Sequence, residues 1–424
     1  MEATIGLLIT AFLFVLGIPV MAALGFGAII FMLLSGFPLV TVGQVTFTAI
    51  DTFPYLAIPL FVLTGELVSY GGILRQLVNL AYALLGAIRG GLGMAVLVAS
   101  VFFAAICGSN AASAAAFGRL MIPEMTKEYD KSYASAIVSA GSCMGIVIPP
   151  SVILIIYGAI FGVSTSALFI GAVIPGLVMI TWMIIAHYIM CKCNDYDPPR
   201  GKFSFKALGK ATWEAKWGLA APALILGTIY TGVVTPTESA VIATVYCGFV
   251  GFFVTRQLKL KHLPDILVDS AVISGFIMPI IAMAKILGEP IIILRLVDTF
   301  VAFMLGFTNV PVLLMMLIVV IMLLLGCVLE AIVIVLLAGP FFMPIATHLG
   351  FHPVHWGICF VTTLTIGYTT PPYGMNLFVV SGVANISSLS VAKKAVPLVI
   401  AMIISLGFIY MIPQLSLYLV QIMK

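Results

Sequence analysis

The chain repeats itself at a spacing of about 220 residues, and each half carries a Pro-Pro pair inside an apolar segment. Gly145-Ile-Val-Ile-Pro-Pro150 matches Gly367-Tyr-Thr-Thr-Pro-Pro372 at an offset of 222 (367 − 145). Ile73-Leu-Arg75 recurs as Ile293-Leu-Arg295. A proline removes a backbone donor and clashes with the preceding helical turn. The repeat therefore predicts two related helices, each broken at its Pro-Pro pair.

The composition places these segments in a membrane. Apolar residues make up 62% and charged residues 8% of the chain, and the mean hydropathy is +1.25; soluble domains carry about 25% charged residues. Runs such as Leu168–Cys191 and Ala395–Val420 reach the roughly 20 residues of a span. The net charge of +4 is confined to a few loops and indicates topology, not nucleic-acid binding. Paired broken helices in such a chain are typical of secondary transporters.

Lysine and arginine assign the loops to the two sides of the membrane. Residues 192–216, 256–261 and 393–394 are basic, and the positive-inside rule places them in the cytoplasm together with the loop Thr126–Lys131. The equivalent loop of the second half, His348–His355, contains no lysine or arginine. Equivalent loops on opposite sides are what an inverted-topology repeat requires.

We therefore predict an all-α polytopic membrane protein built from two inverted-topology repeats, with re-entrant hairpins and broken helices. The first repeat, residues 1–215, has an arm helix at about 71–91, a hairpin at about 91–126 and a broken helix at about 131–163. The second, residues 216–424, has these elements at about 290–309, 310–348 and 353–383. Each arm would link a fixed part to a mobile part, and a plain transmembrane helix is the alternative.

Two further segments have alternative interpretations. The apolar N-terminus lacks a basic n-region and a small-residue cleavage site, so it predicts a short first span at about Ile5–Leu16, with the N-terminus outside, and not a signal peptide. The basic, aromatic segment Phe203–Trp217 is either an amphipathic helix on the cytoplasmic surface or an ordinary loop. The close pair Cys191 and Cys193 favours a structural role over metal binding.

Turn residues interrupt the apolar segment before each Pro-Pro break. Gly108-Ser-Asn110 is typical of a turn, and its apolar flanks of about 15 residues are short for a span of about 20. A re-entrant hairpin with its tip in mid-membrane fits better, and Gly326–Glu330 takes the same place in the second half. Unwound backbone is tolerated there only where it faces protein or a water-filled cavity. A proline-kinked helix is the alternative at both breaks.

Hydroxyl, amide and carbonyl oxygens collect at these tips and breaks. Such an oxygen-rich setting suits a small cation such as Na⁺. The adjacent half-helix N-termini would attract an anion such as a carboxylate.

At these residues the chain resembles the large membrane subunit of TRAP (tripartite ATP-independent periplasmic) transporters. The matching stretches keep their order over most of the chain and are Phe102–Asn110, Met121–Met125, Tyr129–Lys131, Ile148–Ser151, Thr235–Glu238 and Thr370–Phe378. Arg119 departs from the small residue usual in the family, and Cys107 from a small hydroxyl residue. Arg119 would either contact an acidic substrate or pair with Glu124 or lipid headgroups.

The resemblance implies a Na⁺-driven importer of small carboxylates, such as C4-dicarboxylates or sialic acids, in the bacterial inner membrane. A transport domain would move against a scaffold as an elevator. A periplasmic substrate-binding protein would deliver the substrate, and a small four-helix membrane subunit would brace the scaffold. Both partners would be separate polypeptides. The coupling ion would be Na⁺, with no other metal, no cofactor and no catalytic residue.

Proline and turn chemistry agree with the resemblance on the location of the sites. The first Na⁺ site is predicted at Ser109, Asn110, Ser113, Gly145 and Pro149. The second is predicted at Gly326, Cys327, Glu330, Gly367, Thr369, Thr370 and Gly374. Substrate contacts are predicted for Gly108, Ser109, Ser151, Thr370, Pro372 and Asn376.

Several single polar residues carry expectations of their own. Glu330 stands at the repeat position of Ser109 (330 − 109 = 221), and it would either hydrogen-bond the tip or contact a cation. Glu238 is expected to belong to a helix cap with Thr235 or Thr237. Glu66 and Lys285 lie in apolar helices, where contact between domains or snorkelling is expected.

The second half contains a histidine-rich loop with His348, His352 and His355. Gly350 and Pro353 break the helix that would align the three rings, so metal binding is disfavoured. Contact with the periplasmic binding protein is the preferred interpretation.

Three other functions remain as alternatives. A stand-alone Na⁺/carboxylate symporter of the same superfamily would share this architecture. An intramembrane enzyme would need a nucleophile–base pair or a metal cluster at one depth, and no histidine lies near Ser109 in the sequence. A passive channel is disfavoured because two matched, closed hairpins favour alternating access.

Overall fold

Helices make up all regular structure in the residues that this computed structural model describes, which are 2–199, 203–308 and 310–423. Within them, seven helical segments are long and apolar enough to cross a membrane, or up to eight if one bent pair forms a single span. The prediction of an all-α polytopic membrane protein is confirmed. Met1, Arg200, Lys202, Asn309 and Lys424, which fall in predicted loops or at predicted boundaries, lie outside the described residues.

The first half of the chain contains α1 to α11. They are α1 (Glu2–Val15), α2 (Val20–Leu34), α3 (Val40–Ile50), α4 (Ala57–Tyr70), α5 (Ile73–Leu85), α6 (Gly91–Cys107), α7 (Asn110–Met125), α8 (Lys131–Ser142), α9 (Met144–Val147), α10 (Val152–Phe161) and α11 (Thr165–Cys193). A 3₁₀ turn at Phe53–Leu56 precedes α4.

The second half contains α12 to α22. They are α12 (Phe205–Tyr230), α13 (Pro236–Phe249), α14 (Leu263–Ile293), α15 (Leu296–Phe307), α16 (Pro311–Val328), α17 (Ala331–Leu337), α18 (Gly339–His348), α19 (Pro353–Gly367), α20 (Met375–Ala384), α21 (Ser388–Met411) and α22 (Gln414–Ile422). A π turn at Val250–Val254 extends α13, and a 3₁₀ turn at Leu260–His262 precedes α14.

The first hairpin consists of α6 and α7, which meet at a two-residue tip. Gly108 ends α6 in the left-handed region, with φ of 66°, a conformation that glycine adopts without steric cost. Ser109 is the N-cap of α7, and its Oγ accepts a hydrogen bond from the backbone N–H of Ala112 at 3.4 Å. Local turn chemistry therefore sets the position of this tip.

The second hairpin differs from the first in its returning arm. Glu330 is the N-cap of α17, and its carboxylate accepts a hydrogen bond from the N–H of Ile332 at 3.2 Å. The returning arm then bends by 62° between α17 and α18. The bend at Ala338 was not predicted from the sequence.

The two Pro-Pro pairs interrupt their helices by unwinding them, so the prediction of a break is confirmed and the proline-kink alternative is wrong. The chain is unwound at Ile148–Ser151 between α9 and α10, and at Tyr368–Gly374 between α19 and α20. Both Pro-Pro peptide bonds are cis. Ser151 recloses the first break, since its Oγ donates to the carbonyl of Ile146 at 2.7 Å and accepts from the N–H of Leu154 at 3.3 Å.

The two broken helices run in opposite directions. Asp130, the N-cap of α8, lies 3.1 Å from Nζ of Lys394 in α21, which follows the end of the second broken helix. At the other end, Oη of Tyr157 in α10 donates to the carbonyl of Pro353, the first residue of α19, at 3.5 Å. Each broken helix therefore begins beside the end of the other, as inverted repeats require.

Basic loops that are far apart in sequence meet on one face of the molecule. Tyr196, in the loop after α11, donates to Oδ2 of Asp130 at 3.2 Å, where Lys394 also binds. Arg89, between α5 and α6, pairs with Asp195. Burial opposes the ionisation of Asp130, but hydrogen bonds from Lys394 and from two backbone N–H groups outweigh it and lower its pKa. These contacts join the loops that the positive-inside rule had grouped.

Two predicted elements differ in extent from the structure. Phe203–Trp217 is not a separate surface element, because its helical part continues without interruption to Tyr230 as α12. Gly218 of α12 faces Ile73 and Leu77 of α5. The second arm was predicted at about 290–309, but α14 extends to Ile293 and α15 begins only at Leu296, after a left-handed Arg295 with φ of 52°.

Candidate functional site

The first hairpin tip contacts the first unwound segment through backbone atoms. A Cβ atom added to Gly145 would lie 2.7 Å from the carbonyl carbon of Ser109 and 2.9 Å from the nitrogen of Asn110. A Cβ atom added to Gly108 would lie 2.8 Å from the carbonyl oxygen of Pro150. Glycine at both positions thus permits a close approach that any side chain would prevent.

Polar groups at this first tip are only partly used. The hydroxyl of Ser113 donates to the carbonyl of Ser109 at 2.8 Å. Asn110 is 3% exposed, and neither Oδ1 nor Nδ2 of its amide has a hydrogen-bond partner among the described residues. Buried polar groups normally have partners. The Asn110 amide therefore has the capacity to bind a small ligand or ion at this tip.

The second hairpin tip contacts the second break in a comparable way. A Cβ atom on Gly367 would lie 2.7 Å from Cα of Gly326, so these two helices also touch through glycines. The N–H of Gly374 donates to the carbonyl of Cys327 at 3.1 Å. Gly326, Cys327, Gly367 and Gly374, four of the residues predicted for the second site, therefore meet at the contact between tip and break.

Glu330 is held by its own hairpin and by a tyrosine of the break. Oη of Tyr368 accepts a hydrogen bond from the N–H of Ala331 at 2.5 Å and donates to Oε1 of Glu330 at 3.5 Å. The other carboxylate oxygen accepts from Ile332. The structural interpretation of Glu330 is thus present in the geometry, and one side of the carboxylate still faces a cavity. Sequence reasoning did not identify Tyr368.

Both hairpin tips line a common cavity of about 270 Å³. Ser109 and Asn110 line it from the first tip, Glu330 lines it from the second, and Phe276 of α14 closes it from outside the hairpins. Much of the remaining lining is apolar, with isoleucine and valine side chains. The cavity therefore offers a few convergent polar groups in an apolar pocket, as small-molecule sites do.

The structure brings only part of the predicted substrate set to this cavity. Gly108 and Ser109 line it, but Ser151, Thr370, Pro372 and Asn376 do not. Ser151 is buried as a helix cap, Thr370 bonds back to its own helix at Ile366, and Pro372 is exposed.

Thr369 and Asn376 instead join the two broken helices where they cross. Nδ2 of Asn376 donates to the carbonyl of Ser139 at 3.2 Å. Sγ of Cys143 lies 3.0 Å from Oγ1 of Thr369 and 3.3 Å from the carbonyl of Thr365. Sequence reasoning missed Ser139 and Cys143. The repeat offset of 222 pairs Cys143 with Thr365 (365 − 143), and that signal could have indicated the crossing.

The single polar residues outside the cavity have the following positions. Glu238 and Thr235 form a capping box, in which the backbone nitrogen of Thr235 lies 2.7 Å from Oε2 of Glu238, so the capping prediction is confirmed.

His355 is buried in α19, and Nδ1 of His352 caps that helix. The expectation that this loop contacts a periplasmic binding protein through its histidines is therefore wrong for His355, whose side chain is buried. No group of three or more metal-ligating side chains occurs among the described residues.

A family model described as the DctM component of the tripartite ATP-independent periplasmic transporter matches residues 7–415. The chain belongs to this TRAP transporter DctM family. The resemblance inferred from the tip and break motifs is thereby confirmed. The chain is therefore a multi-pass membrane component of a transporter and not an enzyme.

The names of similar proteins contain different substrates. The isethionate TRAP transporter permease protein DctMQ of Oleidesulfovibrio alaskensis is 37% identical over 96% of this chain and 65% of that protein. The C4-dicarboxylate large permease protein DctM of Vibrio cholerae is 34% identical over 96% and 94%. The sialic acid large permease protein SiaM of the same species is 33% identical over 95% of each chain.

A solved structure is similar to this chain in fold. The YdaH transporter of Alcanivorax borkumensis, whose crystal structure revealed an unusual topology, aligns with a TM-score of 0.54 over 85% of this chain and 86% of that chain. The sequence identity is 15%, so the likeness concerns architecture alone.

Proposed function

We propose that this chain is the membrane transport subunit of a Na⁺-coupled importer of small organic anions, in the bacterial inner membrane. The observation that carries the proposal is the cavity between the two hairpin tips, which is lined by Ser109 and Asn110 from the first tip and by Glu330 from the second. Three relatives are named as transporters of a sulfonate, of dicarboxylates and of a sugar acid, all of which are small organic anions. Because the family is one component of a tripartite periplasmic transporter, the proposal includes two partners, a periplasmic substrate-binding protein and a small four-helix membrane subunit.

Na⁺ is the coupling ion in this proposal and is carried with the substrate. The first predicted site fits a small hard cation because Oδ1 of Asn110 is buried without a partner among the described residues, and because the carbonyl groups of Ser109 and Pro150 lie where the tip contacts the break. Na⁺ bound there would add positive charge beside the cavity. An anion would then bind more tightly, and the two ligands would be coupled.

The cavity also supports an elevator movement. Its walls come from the two hairpins and breaks on one side and from Val272–Ile277 of α14 and Val62 of α4 on the other. The contact with α14 and α4 is apolar, so it can slide without breaking ion pairs. We propose that the hairpins and broken helices form the transport domain, and that α4, α5, α12, α13 and α14 belong to the scaffold.

Reconstituted uptake tests the proposal. The chain, its small subunit and its binding protein are placed in proteoliposomes and supplied with labelled isethionate, succinate or N-acetylneuraminate. We expect uptake of one of these anions only with an inward Na⁺ gradient and the binding protein. Equal uptake in K⁺, or a requirement for ATP, would contradict the mechanism. Uptake that does not need the binding protein would instead support a stand-alone symporter.

A further inference from the structure

A second cleft runs along the outer side of α7, between this helix and the α4–α5 region. Its upper part, of about 400 Å³, begins at Ala112, in the first turn after the tip, and is lined by Arg75 and Arg119. Its lower part, of about 210 Å³, shares Arg75 and ends at Lys127 in the loop after α7. Together the two parts are lined by residues from the first turn after the hairpin tip to the loop Thr126–Lys131.

The two arginines in this cleft, Arg75 and Arg119, form no salt bridge in the described part of the chain, although Glu66 interacts electrostatically with Arg119 at longer range. Nε of Arg119 donates only to the carbonyl of Ala115 in its own helix, at 3.3 Å. Pairing of Arg119 with Glu124 is thus not observed. A charged residue within a membrane protein normally has a partner or a role, and a guanidinium group binds a carboxylate or sulfonate through two parallel hydrogen bonds.

Acidic groups in the cleft would keep such binding weak. Glu66 lines the same part of the cleft as Arg119, and Glu124 lines the lower part with Arg75. Their charges oppose an incoming anion without forming ion pairs with either arginine. A site on a release path must bind weakly enough for its ligand to leave, so these carboxylates suit transient binding.

The position of Arg119 fits a step after the tip cavity. It lies ten residues beyond Ser109 (119 − 109) on α7, which corresponds to about 15 Å along a helix. We propose that Arg119, assisted by Arg75, is a transient binding site for the carboxylate or sulfonate of the cargo, on its way from the tip cavity to the cytoplasm. This inference rests on the proposed function and adds a second site to it.

A reporter cysteine in the cleft tests the electrostatic part. Ala116→Cys lines the cleft, and Cys193→Ser removes the exposed cysteine of the chain. Separate samples of the purified complex are treated with a methanethiosulfonate that carries a sulfonate or with one that carries a trimethylammonium group. The rate of cysteine modification is measured for each reagent. We expect the rate with the anionic reagent, divided by the rate with the cationic reagent, to be at least about fivefold lower in Arg119→Gln, because the arginine attracts the sulfonate. Lys210→Gln, on α12 outside the cleft, is the charge-matched control.

Protection by cargo tests the binding part. The transported anion, whether isethionate, succinate or N-acetylneuraminate, should slow modification of Ala116→Cys at least about twofold with Arg119 or Arg119→Lys, and not with Arg119→Gln. The measurement is repeated in nanodiscs of phosphatidylcholine alone, which lack anionic headgroups. Monodisperse elution of each variant establishes that it is folded.

Three results would overturn the inference. They are an unchanged rate ratio in Arg119→Gln, equal protection by cargo in that variant, and an Arg119 effect that requires phosphatidylglycerol, which would assign the arginine to lipid headgroups. None of these results would affect Na⁺-dependent uptake by the unsubstituted chain. Absence of that uptake would contradict the proposed function itself, so the two failures are distinguishable.

Discussion

The two hairpin tips occupy equivalent positions of the repeat but differ in their chemistry. At the first tip a neutral hydroxyl, Ser109, caps the returning helix, and the buried amide of Asn110 has no partner among the described residues. At the second tip the cap is a carboxylate, Glu330, which Tyr368 and the Ile332 N–H already hold. The comparison teaches that duplication preserved the architecture of the tips while their ligand-binding capacity diverged.

We therefore assign unequal parts to the tips. The first tip has unused oxygen ligands and suits the coupling ion. The second tip has a carboxyl group, which in its ionised form would repel an anionic cargo unless a cation lies beside it. The pair thus links binding of the cargo to binding of Na⁺, and each prediction below breaks or sharpens this contrast.

The largest effect is expected from Gly145→Ala, which separates the first tip from its break. The new Cβ would lie 2.7 Å from the carbonyl carbon of Ser109, and overpacking of this kind costs about 1–3 kcal/mol. We expect uptake to fall at least about tenfold. Gly227→Ala in α12, where a Cβ meets nothing within 4 Å, is the control. Normal uptake by Gly145→Ala would show that the tip–break contact is not required.

The next effect is expected from Glu330→Gln, which removes the charge of the second tip and keeps its shape. The amide oxygen can still accept from the N–H of Ile332, so the fold should be retained. We expect the Na⁺ concentration for half-maximal uptake to rise about tenfold, the equivalent of about 1.4 kcal/mol. Glu214→Gln, exposed on α12, should leave it unchanged. An unaltered Na⁺ dependence in Glu330→Gln would restrict this residue to a structural role.

A sharper contrast is available from two asparagines. Asn110→Ala removes an amide without a partner, so it should not lower the melting temperature without Na⁺. It should, however, reduce the stabilisation that Na⁺ gives to the unsubstituted protein. Asn376→Ala removes the hydrogen bond to Ser139 and should lower stability by about 1 kcal/mol with or without Na⁺. If both variants behaved alike, the first tip would have no special relation to the ion.

The smallest effect is expected at the surface, at the Asp130–Lys394 pair. The pKa of Asp130 is lowered, so its contribution to stability is present above its unfolded pKa of about 3.9 and is lost as the pH falls through the lowered value. Because the side chains are 38% and 43% exposed, the loss in Asp130→Asn should be below about 1 kcal/mol. Melting curves should show a difference between the two proteins at pH 7 that shrinks steadily as the pH is lowered from 4 to 2.

The sequence predicted the tips and breaks closely because local physics determines them. Gly108 ends a helix through its left-handed conformation, and a Pro-Pro pair interrupts a helix wherever it occurs. The remaining features depend on contacts between distant segments. The bend at Ala338, the crossing of Cys143 with Thr369 and the hydrogen bond from Ala331 to Tyr368 have no local signal. For the same reason Thr370 and Pro372 were expected at the cavity but lie outside it.

Equilibrium binding of radioactive sodium to the purified chain tests the central claim most directly. The account predicts saturable binding that K⁺ does not displace and that weakens about tenfold in Asn110→Ala. The same measurement on Gly227→Ala should match the unsubstituted chain. Sodium binding of unchanged affinity in Asn110→Ala would contradict the assignment of the coupling ion to the first hairpin tip.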